Sequence, residues 1–437
     1  KYLISASIRR DGSSKFGFQQ RWGVFPSVSL GWRITQEDFM KKFNWINDLK
    51  LRASAGINGS NNIGNYAAYS TLASYNYTLG GANAIGQGIG SIPNPLLHWE
   101  ESKSTDLGLD FSILKNRISG TFEVYRKINS DLLLQVPVVG ASGFTNYLTN
   151  IGKVQNQGWE FELNTSNVAT KNFKWKTSLN LSHNENQVLA LGPDQTKIEI
   201  AASGLSGVPF VKLEVGKPMY TLFMLVQDGV VTQADIDAGG TTIGGNALKL
   251  GDPRYIDQNG DKKITADDRV DVGNPTPKII WGITNTFKYK AFDLNVLVQG
   301  QNGGTVYGLI GRGINRTGMS AGENNLDVDP AVRGNWKTSF GYQANTDWLY
   351  SSDYLSVRNI TLGYDLSKAV KSLTRIDKAR IYISGENWFY WNKYKVGYNP
   401  EAVNTAASSD GAFALPVDYG GAPLAKSLVL GLNINFN

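Results

Sequence analysis

The sequence predicts an all-β chain, a transmembrane antiparallel β-barrel crossed by twelve strands. Three observations predict it. Apolar and polar residues alternate with a period of two along most of the chain, which puts successive side chains on opposite faces of a strand. The runs extend over about 9–12 residues, beyond the about 5–6 of an ordinary strand and matched to the about 9–11 that cross a bilayer. The connections alternate between long and short, as they do when turns gather at one end of a barrel and loops at the other.

The first run, Lys1-Tyr2-Leu3-Ile4-Ser5-Ala6-Ser7-Ile8-Arg9, begins inside an alternation and reads as part of something longer. In the second, Ser27-Val28-Ser29-Leu30-Gly31-Trp32-Arg33-Ile34, one face is Val, Leu, Trp and Ile. The third, Leu49-Lys50-Leu51-Arg52-Ala53-Ser54-Ala55, sets two cations against a continuous apolar row. Further runs lie near residues 105–113, 117–127, 158–166, 173–184, 278–288, 292–300, 354–365, 378–388 and 427–436. Every odd-numbered connection is read as longer than the turn that follows it; Leu114-Lys115-Asn116 and Tyr289-Lys290-Ala291 are the tightest turns. The last run places Leu428, Leu430, Leu432, Ile434 and Phe436 on one face, with Phe436 penultimate. Trp22, Phe25, Trp32, Trp159, Phe173, Trp175, Trp281 and Phe292 fall at or near strand ends, where interfacial aromatic belts form.

Composition narrows the alternatives. At about 150 residues per domain, 437 residues read as three ordinary domains or one large barrel. The 43 basic and 37 acidic residues leave a net +6 that is spread along the chain, which argues against a nucleic-acid face. With no cysteine, thiolate metal sites, disulfides and cysteine nucleophiles are excluded. Two histidines, His98 and His183, leave little room for histidine-based catalysis. Adjacent Glu100 and Glu101 on a strand point to opposite faces and form no acid/base pair, so nothing in the residues points to an enzyme. No apolar stretch reaches 18 residues, so no helical span is expected.

Several segments, in order, resemble SusC/RagA-type TonB-dependent outer-membrane transporters. They begin with Arg10-Asp11-Gly12-Ser13-Ser14-Lys15-Phe16 and Trp22-Gly23-Val24-Phe25-Pro26-Ser27. Asp106-Leu107-Gly108-Leu109-Asp110, Asn150-Ile151-Gly152-Lys153-Val154 and Gly251-Asp252-Pro253-Arg254-Tyr255 follow. Tyr354-Leu355-Ser356-Val357-Arg358-Asn359 and Gly385-Glu386-Asn387-Trp388-Phe389 complete the series. The resemblance implies a 22-stranded barrel of which residues 1–437 form the C-terminal part, with earlier strands, plug and TonB box lying outside this chain. Twelve strands alone would leave two open edges in lipid, so that missing N-terminal part is an expected partner.

Two groups are candidate sites. Asp257-Gln258-Asn259-Gly260-Asp261-Lys262-Lys263-Ile264-Thr265-Ala266-Asp267-Asp268 resembles a twelve-residue Ca²⁺ loop. Its ligands would be the side chains of Asp257, Asn259, Asp261 and Asp268 and the backbone carbonyl of Lys263. Lys262 stands where such loops carry glycine, and the competing reading is a polar turn closed by Asx side chains. Gly80-Gly81 and Gly86-Gln87-Gly88-Ile89-Gly90 read as a flexible loop. The loop at 389–426 is rich in aromatic residues, of which Trp391, Tyr394 and Tyr398 are candidates to contact ligand, since rings stack on apolar ligand faces. Packing of the loop on its neighbours competes with that reading.

The resemblance implies import of oligosaccharides or peptides, a SusD-like lipoprotein lid, and energy delivered by TonB. Lipid or lipopolysaccharide would surround the wall. The alternatives are a barrel serving a structural role in a larger surface complex, and a passive porin.

Overall fold

The structure is a computed structural model, which describes every residue except 145, 193–194, 202–208, 315–343, 371–375, 398, 402–405, 408–413, 416, 419 and 437. Twelve strands form one antiparallel sheet in chain order. They are β1 (Tyr2–Gly12), β2 (Trp22–Arg33), β3 (Ile46–Ser60), β4 (Glu100–Ile113), β5 (Ile118–Ser130) and β6 (Lys153–Ala169). β7 (Phe173–Ala190), β8 (Ile279–Tyr289), β9 (Phe292–Asn302), β10 (Tyr354–Asp365), β11 (Ile376–Asn392) and β12 (Ser427–Phe436) complete it. The sheet is open at β1 and β12. No helix among the described residues is long and apolar enough to cross a membrane.

The register carries one apolar face from edge to edge. Ile4 lies opposite Leu30, Leu30 opposite Ala53, Ala53 opposite Leu107 and Leu107 opposite Val124. Further along, Phe122, Phe161, Leu181 and Trp281 form one row, and Leu294, Leu362, Ile383 and Leu430 another. Because strand side chains alternate, a slip of one residue would transfer every member to the polar face, so this continuity fixes the pairing. The apolar face is bare: Ile4 is 77% and Leu430 75% exposed. Each large apolar side chain left in water forgoes roughly 1.5–3 kcal/mol, a cost that a lipid environment removes.

Connections sort by length as expected, with one correction. Residues 114–117, 170–172 and 290–291 are tight turns at one end, whereas 61–99, 131–152, 191–278, 303–353 and 393–426 lie at the other. The first pair reverses the expected order: residues 13–21 are a shorter connection than residues 34–45. Pairing of β1 with β2 continues to Gly12 and Trp22, so residues read as loop are hydrogen-bonded strand. β6 and β7 are likewise longer than read, because the polar Gln155, Gln157, Glu185 and Gln187 extend the ladder past the apolar rows.

The packed interior is not in the wall. The largest buried cluster unites Val188 at the end of β7 with Phe210, Leu222, Met224, Tyr307, Trp348 and Val417. These come from three separate long connections, whose described residues pack together as a cap. Pro209–Glu214, Thr221–Met224 and Val270–Gly273 share a small sheet in it. Parallel bridges join Leu225 to Asn345 and Gly308 to Asp418, so backbone hydrogen bonds run between the connections as well.

Residues 72–89 are no irregular loop. Leu72–Leu79 and Ala82–Ile89 pair as a hairpin around Gly80 and Gly81, whose φ values of +61° and +84° suit a two-residue turn that only glycine adopts freely. Gly86 and Gly88 lie under the rings of Tyr77 and Tyr75, where a Cβ would collide or crowd.

Candidate functional site: a polar wall beneath a folded cap

Opposite the apolar face, the wall is polar and cross-linked by two arginine clamps. The Arg52 guanidinium on β3 donates from Nε to Asp110 at 3.1 Å and from Nη2 to Glu123 at 3.0 Å. Glu123 is on β5, two strands away, and the intervening strand presents Gly108 opposite both residues. A Cβ at Gly108 would come within 2.7 Å of Arg52 Nη2, so the glycine is what lets the guanidinium lie across β4. Lys50 adds a 3.6 Å pair with Asp110. Arg380 on β11 repeats the device, reaching Asp293 on β9 from Nε at 2.9 Å across Gly363 on β10. Lys50 and Arg52, bare cations in the sequence, are therefore neutralised across the sheet.

Aromatic side chains mark both limits of the apolar face. Tyr2, Trp32, Phe173, Trp175, Phe292 and Phe436 share it at the short-turn end; Trp22, Trp159 and Trp281 share it toward the other. Phe25 is the exception among the residues expected in these belts. It faces the polar side, is 4% exposed, and meets the Trp99 ring edge-on at 5.4 Å.

The aromatic group expected to contact ligand is divided by the structure. Trp391 pairs with Leu355, and Leu355 with Gly300 beside Trp281, which places it on the apolar face. Its ring stacks on Phe389 at 6.1 Å and 11°, so it belongs to the belt and points away from the polar wall. Tyr394 is 4% exposed and sits inside the cap, its hydroxyl donating to Asp418 Oδ2 at 2.7 Å. Burial first, and Asp418 second, push the Tyr394 hydroxyl well above its ordinary value, so it stays a neutral donor. There it packs the loop on its neighbours. Tyr398 lies outside the described residues.

A polar clamp that the sequence did not reveal ties the same loop to the wall. The rings of Tyr354 and Tyr390 stack at 5.2 Å and 16°, and the Arg358 guanidinium lies 5.4 and 5.7 Å from their centroids. Arg358 is paired with Glu401, and the Tyr390 hydroxyl donates to Asn399 at 3.1 Å. A β-bulge between Val357 and Asn359 turns Arg358 to this side. Elsewhere in the cap, burial pulls the Lys212 ammonium down, but Asp271 at 2.6 Å and Glu214 at 2.5 Å outweigh it and raise it. Asp271, pushed up by burial, is held below its ordinary value by Lys212 and Lys217.

In the loop at 257–268, every side-chain oxygen acceptor found is turned to the backbone. Asp257 accepts from the N–H groups of Gly260 and Lys262, both at 2.7 Å. Asn259 accepts from Asp261, and Asp261 from Lys263. Asp268, fully buried, accepts from Gln258 at 2.9 Å and Thr265 at 2.8 Å. Lys262 has a φ of +63°, the left-handed turn that glycine supplies in Ca²⁺ loops. Among the described residues, no three acidic or histidine side chains converge as a metal cluster.

A half-open cleft of about 660 Å³ lies where β7 rises beyond its last pairing with β8. Gln157, Asn184, Asn186, Lys217, Asn274 and Lys278 contribute to a lining in which Pro218 is the one apolar side chain beyond glycine.

Residues 1–387 match the family described as TonB dependent receptor-like, beta-barrel. Over 449 residues the chain is 32% identical to TonB-dependent receptor P26 of Formosa agariphila, with 100% of this chain and 44% of that protein covered. It is 29% identical over 454 residues to TonB-dependent receptor SusC of Bacteroides thetaiotaomicron, covering 42% of it. A solved structure of the RagAB peptide transporter superposes with a TM-score of 0.79 at 23% identity, over 99% of this chain and 46% of that one. The chain thus spans less than half the length of the proteins it matches.

Proposed function

Since the chain belongs to the TonB-dependent receptor-like β-barrel family and is of the SusC/RagA type, we propose that it is the C-terminal barrel portion of an importer for oligosaccharides or peptides. Outer-membrane barrels of this family place short turns in the periplasm and long loops outside, so the cap is extracellular. In this reading the earlier strands close the barrel, a plug fills the lumen, and TonB withdraws it using the inner-membrane proton gradient. A SusD-like lipoprotein covers the cap and encloses ligand against it. The observation that carries the reading is the two-faced wall: an unbroken apolar row outside, and ion-paired polar residues inside. The cleft beside β7 offers amides and ammonium groups to a polar ligand. No step needs a reaction on this chain.

The test is made on the full-length protein in its own cell. Deleting the TonB box is expected to stop uptake while surface binding of the substrate persists. Uptake that continues would make the barrel a passive porin. Normal surface assembly with neither uptake nor binding would assign it a structural role.

We also propose that the loop at 257–268 binds Ca²⁺ through Asp257, Asn259, Asp261, Asp268 and the Lys263 carbonyl. The left-handed backbone at Lys262 supports this, and calcium would displace the N–H groups now held by the carboxylates. Calorimetric titration with CaCl₂ is expected to give heat that Asp257→Ala with Asp261→Ala abolishes. Lys262→Gly removes a cation and about 1 kcal/mol of left-handed backbone cost, and should tighten binding. Identical titrations in all three proteins would leave only a polar turn.

A further inference from the structure

The bulge that turns Arg358 inward has a second consequence on the outer face. Register shifts between Val357 and Asn359, and on the facing strand Asn387 takes a φ of +56°. Trp388 and Phe389 therefore leave the regular alternation and both reach the membrane side, 47% and 48% exposed. Trp388 folds back over Gly385, where a Cβ would stand 3.1 Å from the indole. Its Nε1 donates to the Ser427 carbonyl at 2.8 Å, and Asn387 donates to the Ala425 carbonyl at 3.1 Å. The indole is thus held in place.

The result is a groove of about 240 Å³ floored by Gly385 and walled by Val357, Leu362, Ile383, Phe389 and Leu428, with essentially no polar surface. It is narrower than the about 300–1,000 Å³ of drug-sized ligand pockets, which suits a single linear chain. Lys426 stands at its extracellular mouth, its Nζ 6.0 Å from the Trp388 ring centroid. Among the described residues nearby, Glu386 alternates with Gly385 to the polar face of β11, where it accepts from Ser427, and Glu401 pairs with Arg358, so neither carboxylate shares the face of the groove.

We propose that this groove holds one acyl chain of a phosphate-bearing glycolipid of the outer leaflet, with the phosphate at Lys426. An acyl chain gains no hydrophobic free energy by leaving its neighbours in the bilayer, so occupancy must come from shape and from the headgroup. The groove supplies both: a fixed indole over a glycine floor, and the Lys426 ammonium beside that indole. Transport plays no part in this inference, so it stands or falls apart from the functional reading.

The test uses full-length protein extracted from the outer membrane in mild detergent, delipidated and titrated with diphosphoryl lipid A by native mass spectrometry. Wild-type protein is expected to retain one lipid A. Gly385→Leu, which fills the groove without adding polarity, should abolish retention. Lys426→Glu should lower it at least about fivefold, the factor one lysine contributes at an anionic membrane surface. Should Gly385→Leu fail to assemble, the Lys426→Glu arm decides alone. Absence of retained lipid in wild type, or retention unchanged in the assembled variants, overturns the proposal. A detergent-stable dimer lost in Gly385→Leu would overturn it too, assigning the groove to a second copy of the chain.

Discussion

Removal of residues 428–437 from the full-length protein is expected to abolish assembly of the barrel. β12 pairs with β11 from Ser427↔Glu386 to Phe436↔Ile376, and its loss would open the whole outer edge of β11. In water such an edge is an aggregation hazard; in lipid each unsatisfied backbone group costs several kcal/mol, and no solvent compensates. The strand also carries Leu428, Leu430 and Leu432, which continue the apolar rows of Gly385, Ile383 and Ile381. The measurement is recovery in the outer-membrane fraction with the altered gel mobility that unheated barrels show. Normal insertion of the truncated protein would sink the assignment of this strand as barrel wall.

Trp348→Ala should have the second largest effect, confined to the cap. The indole is fully buried, in a cluster with Phe210, Leu222, Met224 and Tyr307 drawn from separate connections. Truncating a buried aromatic to alanine costs about 3–5 kcal/mol through lost transfer free energy and the cavity left behind. The ladder of the wall does not pass through Trp348, so the barrel should remain resistant to unfolding. Limited proteolysis on intact cells is expected to cut residues 191–278 and 303–353 in the variant and spare them in the wild type. If cap and barrel lose stability together, the two are one cooperative unit and the division drawn here is wrong. On the importer reading, uptake should fall in the same variant, because the cap stands at the long-loop end of the wall.

The two effects differ in how visible their causes were beforehand. Alternation in 354–365 or 427–436 states directly which side chains share a face, since a strand's period of two is local. The limits of β6 and β7 were less legible, because Gln155, Gln157, Glu185 and Gln187 break the apolar alternation while the ladder runs on. Gly108 and Gly363 carried no signal that they would lie beneath arginines, since each matters only through residues on both flanking strands. The aromatic residues at and just past the end of β11 were less legible for a related reason. Trp391 and Tyr394 are three positions apart, yet the end of the strand sends one to the membrane face and the other into the cap. Composition alone treats both as exposed rings.

By itself the sequence determined a two-faced wall of twelve membrane-crossing strands, their order, and which end bears the loops. Those follow from patterns spanning fewer than a dozen neighbours, with turns too short for any other pairing. Only the tertiary structure decided that described residues of three long connections meet in the largest buried cluster. The Gln227 backbone N–H donates to the hydroxyl of Thr346, 119 residues away. Contacts of that separation leave no periodic trace, since burial inside the cap depends on which distant chain segment arrives to cover each side chain.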